Sequence, residues 1–185
     1  LTVDDGNGNT STCVAVVTVS DTVSPTAVCQ NITAFLDGSG NVSIVAADID
    51  GGSSDNCGSV TLSASATSFT CADAGPNNVT LTVDDGNGNT STCVAVVTVS
   101  DTVSPAAVCQ NITAFLDGSG NVSISAADID GGSSDNCGSV SLSASATSFT
   151  CADAGPNNVT LTVDDGNGNT STCVAVVTVS DTVSP

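Results

Sequence analysis

The sequence predicts an all-β protein made of small β-sandwiches strung in tandem, and three observations carry that expectation. A segment repeats with a period of 80 residues. Valine and threonine alternate with turn signals every ten or so residues. Cysteines recur at fixed places in the repeat. Leu1–Ser24 recurs as Leu81–Ser104 and as Leu161–Ser184, and residues 21–100 differ from 101–180 only at Thr26/Ala106, Val45/Ser125 and Thr61/Ser141. Such a period exceeds the usual solenoid repeat and suits a self-contained domain. The polar stretch Ser20-Asp21-Thr22-Val23-Ser24-Pro25 follows a long apolar run and reads as a linker. Domains are therefore expected at 21–100 and 101–180. Residues 1–20 read as the last hairpin of a truncated copy, and 181–185 as the start of the next linker. A lone hairpin cannot bury a core, so residues 1–20 are expected to be incomplete or completed by a neighbour.

Each unit should hold six or seven strands. Val42, Ile44 and Ala46 alternate with Asn41, Ser43 and Val45; Val60, Leu62 and Ala64 with Ser59, Thr61 and Ser63; Val79, Leu81 and Val83 with Thr80 and Thr82. Two of the three inter-copy differences, at 45/125 and 61/141, fall on the outward face, where a change of side chain costs little. The run Thr90–Val99 is apolar in both phases around Val96-Val97, which suggests a bulge or a strand covered on both sides. Asp37-Gly38-Ser39-Gly40 reads as a hairpin turn between 28–36 and 41–46, and Asp84–Asn89 as a longer Gly/Asn loop. Phe35 and Phe69, with Phe115 and Phe149, are expected in the core.

Composition excludes several functions. The 185 residues include 19 Asp and no Lys, Arg or His. Without cations there is no phosphate-contacting route to nucleic acid and no clamp for a phosphoryl group. Without His the usual proton shuttle is missing. Paired carboxylates such as Asp48 and Asp50 could in principle do acid–base work. An active site copied into each unit with no His, Lys, Arg, Tyr or Glu does not fit an enzyme, and none is expected. There is no Met, which indicates a piece of a longer chain.

Each unit carries four cysteines, Cys29, Cys57, Cys71 and Cys93, then Cys109, Cys137, Cys151 and Cys173, and Cys13 belongs to the truncated copy. With no Cys-x-x-Cys and no His, zinc ligation is disfavoured and disulfides are expected. Four cysteines allow three connectivities. The favoured one is Cys29–Cys93 with Cys57–Cys71, repeated as Cys109–Cys173 with Cys137–Cys151. The first pair would tie the first strand to the last, and the second would close a short loop. Either would support a thin core and places the chain in an oxidising compartment.

Eight Asp per unit repel one another without any internal cation. Bound Ca²⁺ would relieve this, since it takes six to eight hard oxygens, and Gly-rich loops let carbonyls turn inward. Asp85-Gly86-Asn87-Gly88-Asn89 and Asp48-Ile49-Asp50 leading to Asp55 offer such oxygens, although neither is an EF-hand loop. If strands alternate in direction, the 48–56 and 84–89 loops share the end of the domain that holds Asp21, while Asp37 lies at the other end. The expected site is the junction with the preceding domain: Asp21, Asp48, Asp50, Asp55, Asp84, Asp85, Asn87 and Asn89, and in the second unit Asp101, Asp128, Asp130, Asp135, Asp164, Asp165, Asn167 and Asn169. The competing explanation is that Asp, Asn and Gly are simply good turn residues.

The order A-V-C-Q-N-I-T, D-N-C-G, S-F-T-C, V-T-L-T-V-D-D-G-N-G-N-T-S-T-C-V-A-V-V-T-V and D-T-V-S-P resembles hyalin-repeat (HYR) domains. More narrowly it is similar to tandem HYR-like modules of giant secreted surface proteins of Bacteroidota, across the whole repeat. The resemblance implies tandem immunoglobulin-like β-sandwiches, an extracellular location at a cell surface or in a secreted filament, and a stalk or adhesive role. It assigns no ligand. Asp21-Thr22-Val23 and Asp101-Thr102-Val103 look like an O-glycosylation signal, with Thr22 and Thr102 as acceptors. The expected function is a Ca²⁺-stiffened, disulfide-bonded stalk or filament whose partners are neighbouring repeats, other copies laterally, or surface glycans; the alternative is a module that binds glycans or another cell surface. Nothing in this segment is expected to enter a membrane.

Overall fold

The computed structural model describes residues 1–182; residues 183–185 of the final linker lie outside them. Strands in chain order are β1 (Thr2–Asp4), β2 (Thr10–Thr12), β3 (Ile32–Phe35), β4 (Asn41–Ser43), β5 (Thr61–Ala64), β6 (Ser68–Thr70), β7 (Gly75–Asp84) and β8 (Thr90–Ser100). The second unit continues with β9 (Ile112–Phe115), β10 (Asn121–Ser123), β11 (Ser141–Ala144), β12 (Ser148–Thr150), β13 (Gly155–Asp164) and β14 (Thr170–Ser180). The fold is all-β. Each unit pairs a four-stranded sheet, in the order β3-β8-β7-β5 or β9-β14-β13-β11, with a two-stranded sheet, β4-β6 or β10-β12. Single bridges at Thr26–Ser54 and Cys29–Asp50 extend the first unit, with Ala106–Ser134 and Cys109–Asp130 in the second. Short 3-10 turns occur at Ala46–Ile49 and Cys71–Asp73 and their counterparts.

The core follows the period-2 pattern. Val79, Leu81 and Val83 on β7, Ala95, Val97 and Val99 on β8 and Ala34 on β3 lie side by side on the inner face of the four-stranded sheet, and Ile44, Ile49, Phe69 and Leu36 complete the core. All three inter-copy differences sit at exposed positions in both units, so the core is unchanged between copies.

Three expectations are corrected. The 90–99 run has neither a bulge nor two covered faces. It pairs with β7 without interruption from Asp84–Thr90 to Gly75–Val99, and Val94 on its other face is exposed. The 37–40 turn is tight, with the Gly40 amide donating to the Asp37 carbonyl at 2.9 Å. It is not a hairpin, because β3 runs parallel to β8 while β4 pairs with β6, so the turn carries the chain from one sheet to the other. Phe35 and Phe115 lie outside the core, each 58 % exposed, whereas Phe69 and Phe149 are buried. Strand alternation explains it: Ala34 and Leu36 take the inward positions on either side of Phe35.

Residues 1–20 have the same sequence as 81–100 but form only β1 and β2, exposed throughout. The long strands β7 and β8 thus depend on the rest of the sandwich rather than on local propensity.

Candidate metal-binding junction

The two units meet end to end. The 37–40 turn and the Cys71–Asp73 turn of the first unit face the loop 135–137 of the second. Asn136 Nδ2 donates to the Asp37 carbonyl at 3.1 Å. Cys71 is bonded to Cys137, with the two Cα atoms 5.2 Å apart. Cys29–Cys93 and Cys109–Cys173 form as expected, each with Cα atoms 5.8 Å apart. The expected Cys57–Cys71 and Cys137–Cys151 bridges do not form. Cys71 instead crosses to the next repeat, leaving Cys57, Cys151 and Cys13 as free, exposed thiols. The physical reason is placement: Cys71 follows β6 at the end facing the next repeat, while Cys57 follows Asp55 at the end facing the previous one.

Gly40 makes the bridge possible. Its φ of +73° is a glycine conformation, and a Cβ there would strike the Cys71 sulfur and come within 3.1 Å of the Asn136 carbonyl. A Gly40→Ala chain is expected to leave Cys71 and Cys137 open to alkylation. Gly120→Ala, next to unbonded Cys151, should leave that bridge intact.

The carboxylates of the first unit gather at its other end, the one that holds Cys57. Asp21, Asp55 and Asp85 bring ligand oxygens within 4.8 Å of one another. Asp85 is buried and held by its own loop, accepting from the amides of Asn87 at 2.8 Å and Asn89 at 3.0 Å and from Asn89 Nδ2 at 2.7 Å. Burial pushes its pKa up, but the Asn89 side chain and the loop amides outweigh burial and hold it below the ordinary value. The other two are only half satisfied. Asp21 accepts from the Val23 amide at 3.0 Å and Asp55 from the Cys57 amide at 2.8 Å, yet Asp21 Oδ2 and Asp55 Oδ1 are buried with no donor.

In the second unit Asp101, Asp135 and the Cys137 sulfur form the equivalent group. A bonded cysteine supplies no thiolate, so the cluster there is the two carboxylates set against the disulfide. Asp101 is 6 % exposed, and Asp135 Oδ1 and Asn136 Oδ1 are buried without donors. All four such orphans among the described residues are oxygens. Buried acceptors left unpaired are costly and call for a partner. Hard oxygens without donors, in a chain with no Lys, Arg or His, suit a cation of the Ca²⁺ type. Asp21, Asp55 and Asp85, or Asp101 and Asp135, would hold it.

The remaining residues expected at this site do other work. Asp48 and Asp128 close the 3-10 turns, accepting from the amides of Val45 and Ser125 at 2.7 Å. Asp50 and Asp130 accept from the amides of Ser53 and Ser133 at 2.9 Å, and these serines lower both pKa values. Asp84 and Asp164 accept from Gly86 and Gly166 at 2.7 Å. Asn87, Asn89, Asn167 and Asn169 act as donors to Asp85 and Asp165. Asn89 and Asn169 also reach the linker carbonyls of Asp21 and Asp101, at 3.4 and 3.2 Å, so the loop is tied to the linker. Asn136 was absent from the expected set. Its adjacency to Cys137 in the Asp-Asn-Cys triplet was the available signal. Thr22 and Thr102 are exposed.

The pH dependence has a definite sign. Because the folded pKa of Asp85 lies below 3.8, its contribution is present above that value and disappears as pH falls through the folded pKa. The melting-temperature gap between the natural chain and Asp85→Asn should therefore be open at about pH 5 and narrow as the pH falls through the lowered folded pKa.

No family model matches the chain, and no curated protein matches it. Among solved structures it is similar to an endo-fucoidan hydrolase from glycoside hydrolase family 107 (16% identity, 86% of this chain, 29% of that one, TM-score 0.34). It is also similar to human mucin-like protocadherin (11% identity, 85% of this chain, 98% of that one, TM-score 0.41) and mouse cadherin-23 (13% identity, 85% and 65%, TM-score 0.40). The chain spans less than a third of the hydrolase it matches. Among the described residues no helix is long and apolar enough to cross a membrane.

Proposed function

We propose that the chain is a segment of an extracellular stalk or filament of the HYR-like, bacterial surface type. Its repeats are held end to end by a disulfide and a Ca²⁺ ion at each junction. The observation that carries the reading is the Cys71–Cys137 bond between units, with the Asp101/Asp135 cluster beside it. A tether needs adjacent domains locked in one orientation, and two independent clamps at one junction supply that. Three disulfides in a chain of this size favour an oxidising, extracellular setting. The role has no catalytic step. Ca²⁺ would supply positive charge among paired carboxylates, and extracellular modules bind it at about 10⁻⁴–10⁻³ M. Thr22 and Thr102, exposed in the linkers, would carry glycans.

Small-angle scattering tests this. The oxidised chain in Ca²⁺ should give a rigid, elongated profile, and chelator with reductant should broaden the distribution of inter-repeat distances. Identical profiles in all conditions would contradict both clamps. A second reading, binding of surface glycans, is favoured by Phe35 and Phe115, which present one exposed ring per repeat. Binding to a glycan array that is lost in a Phe35→Ala, Phe115→Ala chain would support it.

A further inference from the structure

We infer that Cys57 and Cys151 are the two open halves of the same inter-repeat bridge, and that each takes another repeat of this kind as its partner. The junction is then a covalent head-to-tail coupling that a second copy of this chain can extend. The inference stands on the disulfide and is independent of the metal.

Two units of nearly identical sequence are seen in two situations, one end docked and one end open, so the differences between them map the footprint of docking. On the face turned to the preceding unit, Asp101 is buried and Val103, Asn136 and Cys137 are partly covered, while Val23, Asn56 and Cys57 are exposed and Asp21 is only partly covered. On the face turned to the following unit, Gly40 is buried and Cys71 partly covered, while Gly120 is less buried and Cys151 exposed. The open faces keep several hydrogen bonds of the docked ones, although the bridge between Asp135 and Gly138 forms only in the docked loop. The Cys151 amide donates to the Gly120 carbonyl at 3.1 Å, as Cys71 does to Gly40 at 3.1 Å. Each sulfur lies 3.6 Å from that glycine carbonyl. The Cys57 amide donates to Asp55 at 2.8 Å, as Cys137 does to Asp135 at 2.7 Å. A groove lined by Val23, Ser24, Thr26, Ser54, Asp55 and Asn56 stands open beside Cys57. In the second unit Asn136, the counterpart of the lining residue Asn56, donates to the 37–40 turn. Both thiols thus keep the local hydrogen bonds of the bonded pair.

The coupling is heterologous, so it has no built-in stop and extends as a linear array. Each bond forms by exchange with an oxidant of the disulfide class, such as oxidised glutathione. One cysteine thiolate attacks the oxidant and releases one thiol. The second cysteine thiolate attacks the mixed disulfide and releases the other. Two protons and two electrons leave the cysteine pair and are carried by the two released thiols.

The test uses the full chain with Cys13→Ser, so that Cys57 and Cys151 are the remaining free thiols, incubated with oxidised glutathione under native conditions. Non-reducing electrophoresis should show a ladder of covalent multimers that collapses to monomer with dithiothreitol. Adding Cys57→Ser or Cys151→Ser to that background should abolish the ladder in each separate chain. An equimolar mixture of the two variants should give dimer, because one supplies Cys151 and the other Cys57. Dimers from either variant alone, at the level of the mixture, would show random pairing of exposed thiols and overturn the inference. Absence of multimers from the parent chain would overturn it as well.

Discussion

Replacing Cys29 by Ser is expected to lower the melting temperature of the first repeat by roughly 15–30 °C, while the second repeat melts as before. Cys29 and Cys93 are 64 residues apart. Their bond ties the segment around Cys29 to the first half of β8, and a loop of that length restricts the unfolded chain by about 4 kcal/mol on the chain-entropy account. The repeat has little to offset the loss. Its core is a single layer of Val, Leu, Ile, Ala and one phenylalanine, and domains this small are marginal without a cross-link. Two resolved transitions in calorimetry of Cys29→Ser would show the effect confined to one unit. Cys109→Ser should reverse which unit melts first.

Calcium is expected to give the second-largest effect. At ten to a hundred times the dissociation constant, a single site stabilises the folded state by about 1.4–2.7 kcal/mol. That raises the melting temperature by roughly 5–20 °C for a domain of this size. Asp55→Asn should remove most of this shift in the first unit. It weakens one of the three carboxylates brought together with Asp21 and Asp85 and leaves the Cys29–Cys93 bond untouched. In chelator the same variant should be no less stable than the natural chain, because Asp55 Oδ1 has no donor to lose and one of three mutually repelling charges is gone. A reversal of sign between the two conditions is hard to obtain from a merely structural carboxylate.

Much of this was legible in the residues, and the parts that were not share a cause. Alternation in Val79-Leu81-Val83 specified the buried face, because a strand half-covered by its partner sheet must repeat every two residues. The end of the sandwich that holds Asp21, Asp55 and Asp85 agrees with the expectation from strand reversal, although β5 and β6 run in the same direction as the chain passes between sheets. The second bridge was not read correctly. In a repeat, Cys71 has two equivalent candidates, Cys57 of its own unit and Cys137 of the next, and a single-unit argument favours the shorter loop. The same reversal of strands puts Cys57 beside the 48–56 loop and Cys71 beside the 37–40 turn, at opposite ends, and contains the answer. Asp48 and Asp50 looked like ligands because acid–x–acid spacing suits a metal, but Asp48 closes a 3-10 turn and Asp50 accepts from the Ser53 amide. Phe35 was misplaced because ring size argues for burial while its position between Ala34 and Leu36 argues against.

The most direct test of the account is the connectivity at the junction. The chain has no Lys or Arg, so cleavage before Asp is the practical route to peptides. Residues 55–72 carry Cys57 and Cys71, residues 135–152 carry Cys137 and Cys151, and Thr61 against Ser141 makes the two peptides differ by one methylene. Without reduction, the account predicts one species in which 55–72 and 135–152 are joined through Cys71 and Cys137. Two separate peptides, each closed on itself by Cys57–Cys71 and Cys137–Cys151, would contradict it.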